Sequence, residues 1–322
     1  MRILIVKTSS LGDVVHALPA ITDLRRAFPT TPIDWCVEEN FTAIPRLHPA
    51  VDKIIPVAIR RWRKQLLRAQ TWREIRQFRD TLRAEKYDAV IDLQGLLKSA
   101  VIARQADGPR VGYAAESARE PIAARFYDAD FAIPKKIHAV ERNRWLVAAS
   151  LELPQDIPLD YGVSATPLQA DWLPAKPYLV LLTATSRDDK LWPESHWLTL
   201  GKLLHEQGVQ VVLPAGSAAE RERAARLAAG IPAAVAAPAL SLEALAGLFA
   251  GSIGAIGVDT GLTHLAAALG RPVVAIYTAT DPGLTGVLSA TPFQNLGGAG
   301  KLPSALEVAQ TARIVCRQTW PA

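Results

Sequence analysis

Cysteine and methionine are scarce in this chain of 322 residues, which holds two cysteines, Cys36 and Cys316, and one methionine. Two cysteines so far apart argue against a disulfide framework and against a thiolate metal site. Long apolar runs are missing too, because no stretch of about 18 uncharged apolar residues predicts a membrane-spanning helix. The N-terminus enters a strand directly, with no cleavable signal pattern. We therefore expect a reducing, cytoplasmic environment.

Three motifs of cofactor and metal chemistry are also missing. The dinucleotide fingerprint GxGxxG does not follow the first predicted strand, where residues 7–13 read KTSSLGD. Neither the P-loop pattern GxxxxGKS/T nor the zinc motif HExxH occurs, and no carboxylates cluster as a metal cage would require. These absences argue against an NAD enzyme, a P-loop ATPase and a metal site, so we expect no cofactor.

What the sequence does contain is an alternation of short apolar segments with helical segments. Hydrophobic residues make up 49% of the chain and charged residues 21%, which is typical of a globular protein. The alternation predicts an α/β fold with parallel strands, and the length favours two domains. Five prolines between Pro154 and Pro177 indicate a linker. We expect domains over 1–160 and 178–303, a linker over 161–177, and a C-terminal helix within 304–322 that returns to the first domain.

The excess of positive over negative charge is confined to the N-terminal half. Residues 1–160 hold 25 Lys and Arg against 20 Asp and Glu, whereas the remainder holds 11 of each. Residues 60–86 alone carry ten basic and three acidic side chains, around Trp62 and along a helix predicted over 65–86. A solvated face is the simplest interpretation, but the imbalance also suits phosphate groups and a membrane surface. Nucleic acid is the weaker option, because no nucleic-acid fold motif is present.

The second half carries three polar loops, each placed after a predicted strand. They contain Thr185, Ser186 and Lys190 in the first, Ser217 and Glu220 in the second, and Asp259, Thr260, Gly261 and His264 in the third. Because the carboxyl ends of parallel strands share one edge of a sheet, these loops converge. Hydroxyls, a lysine and a helix start suit a diphosphate, and Glu220 suits a ribose. Taken alone, the turn at Asp259–Gly261 is equally well an ordinary helix cap.

Asp13 has two interpretations at the sequence level. It stands in the first turn of a helix, where a carboxylate interacts favourably with the helix dipole and needs no other purpose. It also follows the first strand of an α/β domain, at the edge where ligands bind. Both interpretations stay open on the residues alone.

Four segments together resemble the ADP-heptose lipopolysaccharide heptosyltransferases over nearly the whole length. They are KTSSLGDVVHALPA from Lys7, DLQGLLKSA from Asp92, TSRDDKLWP from Thr185, and VDTGLTHLAAAL from Val258, followed by TDPG at 280–283. The resemblance implies a GT-B fold of two Rossmann-like domains facing a central cleft. It implies an inverting, metal-independent transfer of heptose from ADP-heptose to the Kdo sugars of Kdo2-lipid A, by an enzyme peripheral to the cytoplasmic face of the inner membrane.

The same resemblance assigns roles to individual residues. Asp13 matches the catalytic base, and the donor-binding positions are Thr185, Ser186, Lys190, Glu220, Asp259, Thr260, Gly261 and His264. The basic acceptor side, placed in the first domain, corresponds to Arg60, Arg61, Arg63, Lys64 and Arg119. Ser186 stands where the family is expected to have a threonine, and it keeps the hydroxyl. Two alternatives remain: another nucleotide-sugar enzyme of this fold, such as a heptosyltransferase with a different acceptor or an epimerase, and a noncatalytic protein that binds nucleotide sugar or lipid A.

Overall fold

The computed structural model describes residues 1–321, which form two compact units. The first unit ends at Val163 and the second begins at Ser164, so the boundary falls inside the segment predicted as linker. Among the described residues, no helix combines the length and apolar character needed to cross a membrane.

The first unit is built on a six-stranded sheet with the order β3-β2-β1-β4-β5-β6, in which all neighbouring strands are parallel. The strands are β1 (Ile3–Val6), β2 (Ile33–Glu38), β3 (Lys53–Val57), β4 (Ala89–Asp92), β5 (Arg110–Tyr113) and β6 (Ala129–Phe131). The helices are α1 (Leu11–Val15), α2 (Leu18–Ala27), α3 (Ala43–Arg46), α4 (Ile59–Trp62), α5 (Ala69–Arg83), α6 (Leu97–Ala103) and α7 (Ala139–Leu151).

The central strands of this sheet are buried on both faces, which explains why their sequences are continuous apolar runs rather than alternating ones. All four residues of β1 are inaccessible to solvent. On one face, Leu4 and Val6 belong to a core that includes Leu82 of α5 and Ile102 of α6. The sheet therefore fixes the position of the loops that follow its carboxyl ends, where the candidate site lies.

The second unit repeats the plan with a sheet of order β12-β11-β10-β7-β8-β9, again parallel throughout. Its strands are β7 (Tyr178–Leu182), β8 (Gln210–Leu213), β9 (Val235–Ala236), β10 (Gly254–Val258), β11 (Val273–Tyr277) and β12 (Phe293–Gly297). Its helices are α8 (Glu194–Glu206), α9 (Ala218–Gly230), α10 (Leu242–Gly251), α11 (Gly261–Ala268), α12 (Pro282–Thr285) and α13 (Ala305–Val315). The prediction of two Rossmann-like α/β domains is confirmed.

Two helices differ from the sequence-based expectation. The helix predicted over 65–86 is α5, which begins only at Ala69 because the preceding residues form a separate turn. The C-terminal helix, expected to return to the first domain, instead packs inside the second unit as α13. Val308, Ala309 and Ala312 are buried there in the core with Val274 and Ile276 of β11. Burial of this apolar face explains its position.

Candidate active site

In the first unit, the loop Lys7–Ser10 between β1 and α1 is held from the neighbouring strand by Gln94. The side-chain oxygen of Gln94 accepts hydrogen bonds from the backbone N–H groups of Thr8 and Ser9, at 3.0 and 3.2 Å. Its amide nitrogen donates to the carbonyl of Ser9 at 2.6 Å. Gln94 lies just after β4, which pairs with β1. This buried clamp fixes the loop that presents Asp13.

Both carboxylate oxygens of Asp13 accept hydrogen bonds. Oδ2 accepts from the backbone N–H and the hydroxyl of Ser10, each at 2.9 Å, which completes a capping box at the start of α1. Oδ1 accepts from Nη2 of Arg119 at 2.5 Å. Asp13 is therefore a helix cap and also the partner of a cation that was predicted separately as part of the acceptor side.

Two cations set the charge state of Asp13. Burial alone would raise the pKa of its carboxyl group, but Lys7, Arg119 and the bonds from Ser10 and Arg119 together hold that pKa well below the ordinary range. Lys7 is itself buried, and burial lowers the pKa of its amine to about 8. Its Nζ donates to the carbonyl of Leu93 at 2.6 Å and lies 3.3 Å from Oδ1 of Asn143. Asp13 is thus ionised, and able to accept a proton, throughout the neutral pH range.

A group of cations lies at the same carboxyl edge of this sheet. Lys98, at the start of α6, donates from Nζ to the hydroxyl of Ser9 at 3.0 Å. Burial lowers the pKa of Lys98, and the positive charges of Arg60 and Arg63 lower it further. Arg60, Arg63 and Lys64 are exposed, and none of the three makes an ion pair within residues 1–321. The structure therefore brings Arg60 and Arg63 towards Lys98 beside the Asp13 loop.

Arg61 and Trp62 differ from their neighbours in the basic stretch. Arg61 is paired with both oxygens of Glu39, at 3.0 Å each, and with Glu74 at 2.8 Å. Trp62 is nearly buried, and its indole N–H donates to Oε2 of Glu74 at 2.8 Å. The ring of Trp62 packs in the core, edge-on to Phe78, so this tryptophan lies beneath the basic run. Arg61 links α4 to α5 and to the end of β2.

In the second unit, a lysine and a carboxylate from two neighbouring strand ends are joined. Nζ of Lys190 lies 2.7 Å from Oδ2 of Asp259, and the same oxygen accepts from the hydroxyl of Thr280 at 2.7 Å. The hydroxyl of Thr185 donates to the backbone carbonyl of Asp259 at 2.9 Å. The loops after β7, β10 and β11 are therefore bonded to one another, as the adjacency of these strands in the sheet requires.

The helix that follows Asp259 offers unpaired donors. Thr260 is the N-cap of α11, yet its side chain makes no capping bond. The N–H groups of Gly261 and Leu262 have no acceptor among the described residues. Gly257 in β10 allows α11 to lie close, because a Cβ there would stand 2.3 Å from Oγ1 of Thr263. The arrangement has the character of an anion site at a helix start.

The remaining predicted donor residues are placed at the same sheet edge or near it. His264 lies in the first turn of α11 and is buried. Ser186 is in the loop after β7, four residues before Lys190. Glu220 lies in the first turn of α9, which follows β8, the strand beside β7. Its Oε2 accepts from the backbone N–H groups of Gly216 and Ser217 at 2.8 and 3.1 Å, so it also closes a capping box at the start of α9.

Sequence reasoning singled out neither Gln94, Lys98 nor Thr280 as functional. Gln94 and Lys98 belong to the motif DLQGLLKSA, and Thr280 begins the motif TDPG. Both motifs mark their segments in the sequence, but they do not reveal which contacts these side chains make. As regards metals, no group of three or more His, Cys, Asp or Glu side chains in residues 1–321 is arranged to hold an ion.

Comparison with known proteins agrees with this geometry. The family model described as glycosyltransferase family 9 (heptosyltransferase) matches residues 75–310. The chain is 50% identical to lipopolysaccharide heptosyltransferase 1 of Escherichia coli K12 over 292 residues, which cover 89% of this chain and 90% of that protein.

Two solved structures of E. coli heptosyltransferase WaaC have the same fold. The complex with ADP has a TM-score of 0.89 and 45% identity, covering 96% of this chain and 98% of the other. The complex with ADP-2-deoxy-2-fluoro heptose has a TM-score of 0.86 and 43% identity, covering 99% and 100%. The GT-B type of fold and the predicted family are confirmed: the chain belongs to glycosyltransferase family 9, the heptosyltransferases.

Proposed function

We propose that this glycosyltransferase moves L-glycero-D-manno-heptose from ADP-heptose to the Kdo of Kdo2-lipid A, with inversion at the anomeric carbon. The observation that carries the proposal is the cluster at the strand ends of the second unit, where Lys190, held by Asp259, lies with the open N–H groups at the start of α11. The first unit separately presents an ionised Asp13 bonded to Arg119. The 50% sequence identity to a lipopolysaccharide heptosyltransferase 1, over most of both chains, supports the assignment of this donor and this acceptor.

The donor diphosphate is assigned to the edge formed by the loops after β7 and β10. Lys190 supplies a positive charge, and the free N–H groups of Gly261 and Leu262 supply donors at the positive end of the α11 dipole. Thr185, Ser186 and Thr260 add hydroxyls, and Glu220 lies where it would meet a ribose. His264 completes the predicted set beside the heptose.

The chemical step requires a base on the acceptor and charge stabilisation on the leaving group. An acceptor hydroxyl attacks the anomeric carbon as the bond to ADP breaks, through a centre of oxocarbenium character. Asp13 takes the hydroxyl proton, while the negative charge that grows on the diphosphate is stabilised by Lys190 and the α11 amides. Asp13 accepts two hydrogen bonds at Oδ2 and one at Oδ1, so a lone pair of Oδ1 remains to receive the hydroxyl proton.

The acceptor is anionic, since Kdo carries a carboxylate and lipid A carries phosphates. Arg60, Arg63 and Lys64, exposed and without ion pairs among residues 1–321, are suited to such groups, and the charges of Arg60 and Arg63 act on Lys98. Arg119 is assigned to the same side through its contact with Asp13. An acceptor held in a bilayer places the protein at the cytoplasmic face of the inner membrane, as a peripheral protein.

The deciding experiment supplies ADP-heptose and Kdo2-lipid A and follows ADP release together with the mass of the acceptor. We expect one heptose to be added, and Asp13→Ala to lower kcat by about 10²–10⁴-fold while ADP affinity is retained. Asp23→Ala is unsuitable as a control because Asp23 pairs with Arg144, so exposed Asp107→Ala serves instead. Transfer only to an acceptor that already bears heptose would favour a heptosyltransferase 2 activity. ADP-heptose binding without transfer to either acceptor would favour the noncatalytic alternative.

A further inference from the structure

Three large apolar side chains of the first unit project into solvent around the start of α5. Leu66, Leu67 and Trp72 expose 50%, 103% and 53% of their surface, and we call these three residues the apolar tip. Exposed leucines occur singly on many proteins, but a fully exposed leucine next to another leucine and a tryptophan is a patch that needs an explanation.

The tip is a folded feature rather than a loose loop. The hydroxyl of Thr71 donates to the carbonyl of Gln65 at 2.8 Å, and the indole N–H of Trp72 donates to the carbonyl of Leu66 at 2.8 Å. The backbone N–H of Arg68 donates to the same Gln65 carbonyl at 3.0 Å. These bonds hold the turn against the first turn of α5, and the polar atom of Trp72 is satisfied internally. The turn thus leaves the side chains of Leu66 and Leu67 exposed, with Arg68 beside them.

Positive charge surrounds the tip. No acidic residue occurs between Asp52 and Glu74, and that interval contains several exposed cations. The exposed basic residues nearest in sequence to the tip are Arg63, Lys64, Arg68, Arg73 and Arg76. Along α5, Trp72, Arg76 and Arg79 share one face, since residues four and seven positions apart align on a helix. Apolar and basic groups therefore point outwards from the same region.

We propose that the apolar tip and the exposed basic residues near it dock this protein onto an anionic lipid bilayer, with Leu66, Leu67 and Trp72 inserted among the headgroups. Aliphatic side chains gain free energy when they leave water, and tryptophan favours the interface between headgroup and acyl chain. Basic residues near an anionic surface each strengthen binding. Nucleic acid would use the cations but would leave two exposed leucines in water, so the bilayer fits the whole patch better.

The docking proposal rests on the proposed function, because an enzyme whose acceptor is a lipid must meet that acceptor at a membrane. The tip begins four residues after Trp62, in the segment that also carries Arg60 and Arg63 at the carboxyl edge of the sheet. Docking by the tip would bring that edge to the plane in which acceptor headgroups lie.

The test measures vesicle flotation with the full chain and no acceptor present. Wild-type protein is expected to bind mixed phosphatidylcholine–phosphatidylglycerol vesicles better than phosphatidylcholine vesicles. The double variant Leu66→Ser/Leu67→Ser should lower the partition coefficient on mixed vesicles at least about tenfold. Arg68→Gln and Arg73→Gln should each lower it about fivefold, and high salt should suppress these charge effects. The matched controls, Leu306→Ser/Ile314→Ser and Arg313→Gln at exposed positions of α13, should bind like wild type.

Several outcomes would overturn the proposal. Equal binding by wild type and the Leu66/Leu67 variant would do so, as would an equal loss in the α13 control. A loss of duplex DNA binding in Arg68→Gln and Arg73→Gln without any vesicle effect would reassign the cations to nucleic acid. Binding that depends on Kdo2-lipid A in the vesicle would reassign it to the acceptor. Transfer to a water-soluble Kdo acceptor reports the proposed function separately, and the Leu66/Leu67 variant should retain that turnover.

Discussion

Arg119 donates from Nη2 to Oδ1 of Asp13 across 2.5 Å. The residue assigned to the acceptor side is therefore hydrogen-bonded directly to the residue assigned as base. The side chain of Asp13 is largely covered, whereas that of Arg119 is 45% exposed. Arg119 can therefore reach solvent or an anionic acceptor while it holds the carboxylate. An acceptor anion that draws Arg119 away would also raise the proton affinity of Asp13, which makes it a better base.

The first prediction concerns the pH dependence of turnover. Burial favours the neutral form of Asp13, but Lys7 and Arg119 outweigh it and hold the pKa below the ordinary range. Because the base must be ionised, kcat/KM falls only when pH drops through that low pKa. Removing Arg119 takes away one of these lowering influences. We expect Arg119→Gln to move the acid limb of the kcat/KM profile to higher pH and to reduce its plateau.

The matched control for that experiment is Arg125→Gln, which removes an exposed arginine that makes no ion pair among the described residues. Its acid limb should coincide with that of wild type. An unchanged limb in Arg119→Gln, with folding verified by circular dichroism, would show that another group sets the profile.

The second prediction concerns Asp259, whose carboxylate holds Lys190 and Thr280. Asp259→Asn removes the ion pair and also a negative charge near the proposed diphosphate. We expect kcat to fall about tenfold because Lys190 is less well positioned, while ADP affinity does not weaken, since less charge repels the nucleotide. Steady-state kinetics with ADP calorimetry measures both. Thr280→Val keeps the charge, so its kcat should fall less, and a parallel loss of ADP affinity in Asp259→Asn would contradict this role.

The third prediction separates structure from binding within the basic stretch. Glu74 accepts from Arg61, Trp62 and Gln70, and Arg61 is clamped by Glu39 as well. We expect Glu74→Gln to lower the thermal unfolding midpoint and to increase proteolysis at residues 62–68, because the contact between α4 and α5 is weakened. Asp80→Asn, an exposed acid on α5 without an ion pair among the described residues, is the control and should leave both measurements unchanged.

The fourth prediction concerns the cations that remain open. Arg63 and Lys64 are exposed and make no ion pair among residues 1–321, so reversing their charge has little to disturb in the fold. We expect Arg63→Glu/Lys64→Glu to raise the KM for a water-soluble Kdo acceptor by about tenfold or more, with donor affinity unchanged. Lys135→Glu/Lys136→Glu reverses two exposed charges elsewhere in the same unit and serves as the control. A fall in ADP affinity in the first variant would place these residues on the donor side.

The strands and the polar loops were predictable because their causes are local. A strand buried on both faces is a short apolar run, and parallel strands end at one edge, so Lys190 and Asp259 could be assigned to one site before their 2.7 Å contact was known. Asp13 could not be decided on the residues alone, since a helix cap and a base need the same carboxylate. The structure places it in a capping box and against Arg119 at once.

Other features depend on partners remote in sequence. Glu39 and Glu74 are 22 and 13 residues from Arg61, and no local pattern signals that they neutralise it or that Trp62 is buried. The helix predicted over 65–86 includes residues 65–68, whose Gln, Leu and Arg are good helix formers. The side chains of Thr71 and Trp72 in α5 instead bond back to the carbonyls of Gln65 and Leu66, so these residues form a turn and the helix begins at Ala69. Tertiary contact overrides propensity at both places.

The last prediction concerns stability and His48, which is buried beside Thr22 and Gly162. Its Nδ1 accepts from the backbone N–H of Ala50 at 3.1 Å, so the proton resides on Nε2, 2.9 Å from the hydroxyl of Thr22. Burial lowers the pKa of His48 to about 4, although Asp160 opposes the shift. An unfolded histidine titrates near pH ~6.5.

Between these two pKa values, His48 binds a proton in the unfolded chain but stays neutral in the folded chain. The stabilisation from His48 is therefore fully present above about pH 6.5 and is lost as pH falls towards 4, by about 3 kcal/mol in total. Urea unfolding at a series of pH values should show this decline in the free energy of unfolding. His48→Gln removes the titrating ring, so its free energy of unfolding should be lower than that of wild type at neutral pH and should vary less with pH over the same interval. His205→Gln, at the end of α8, is the control and should keep the wild-type pH dependence. A slope in His48→Gln equal to that of wild type would mean that His48 is not the group responsible.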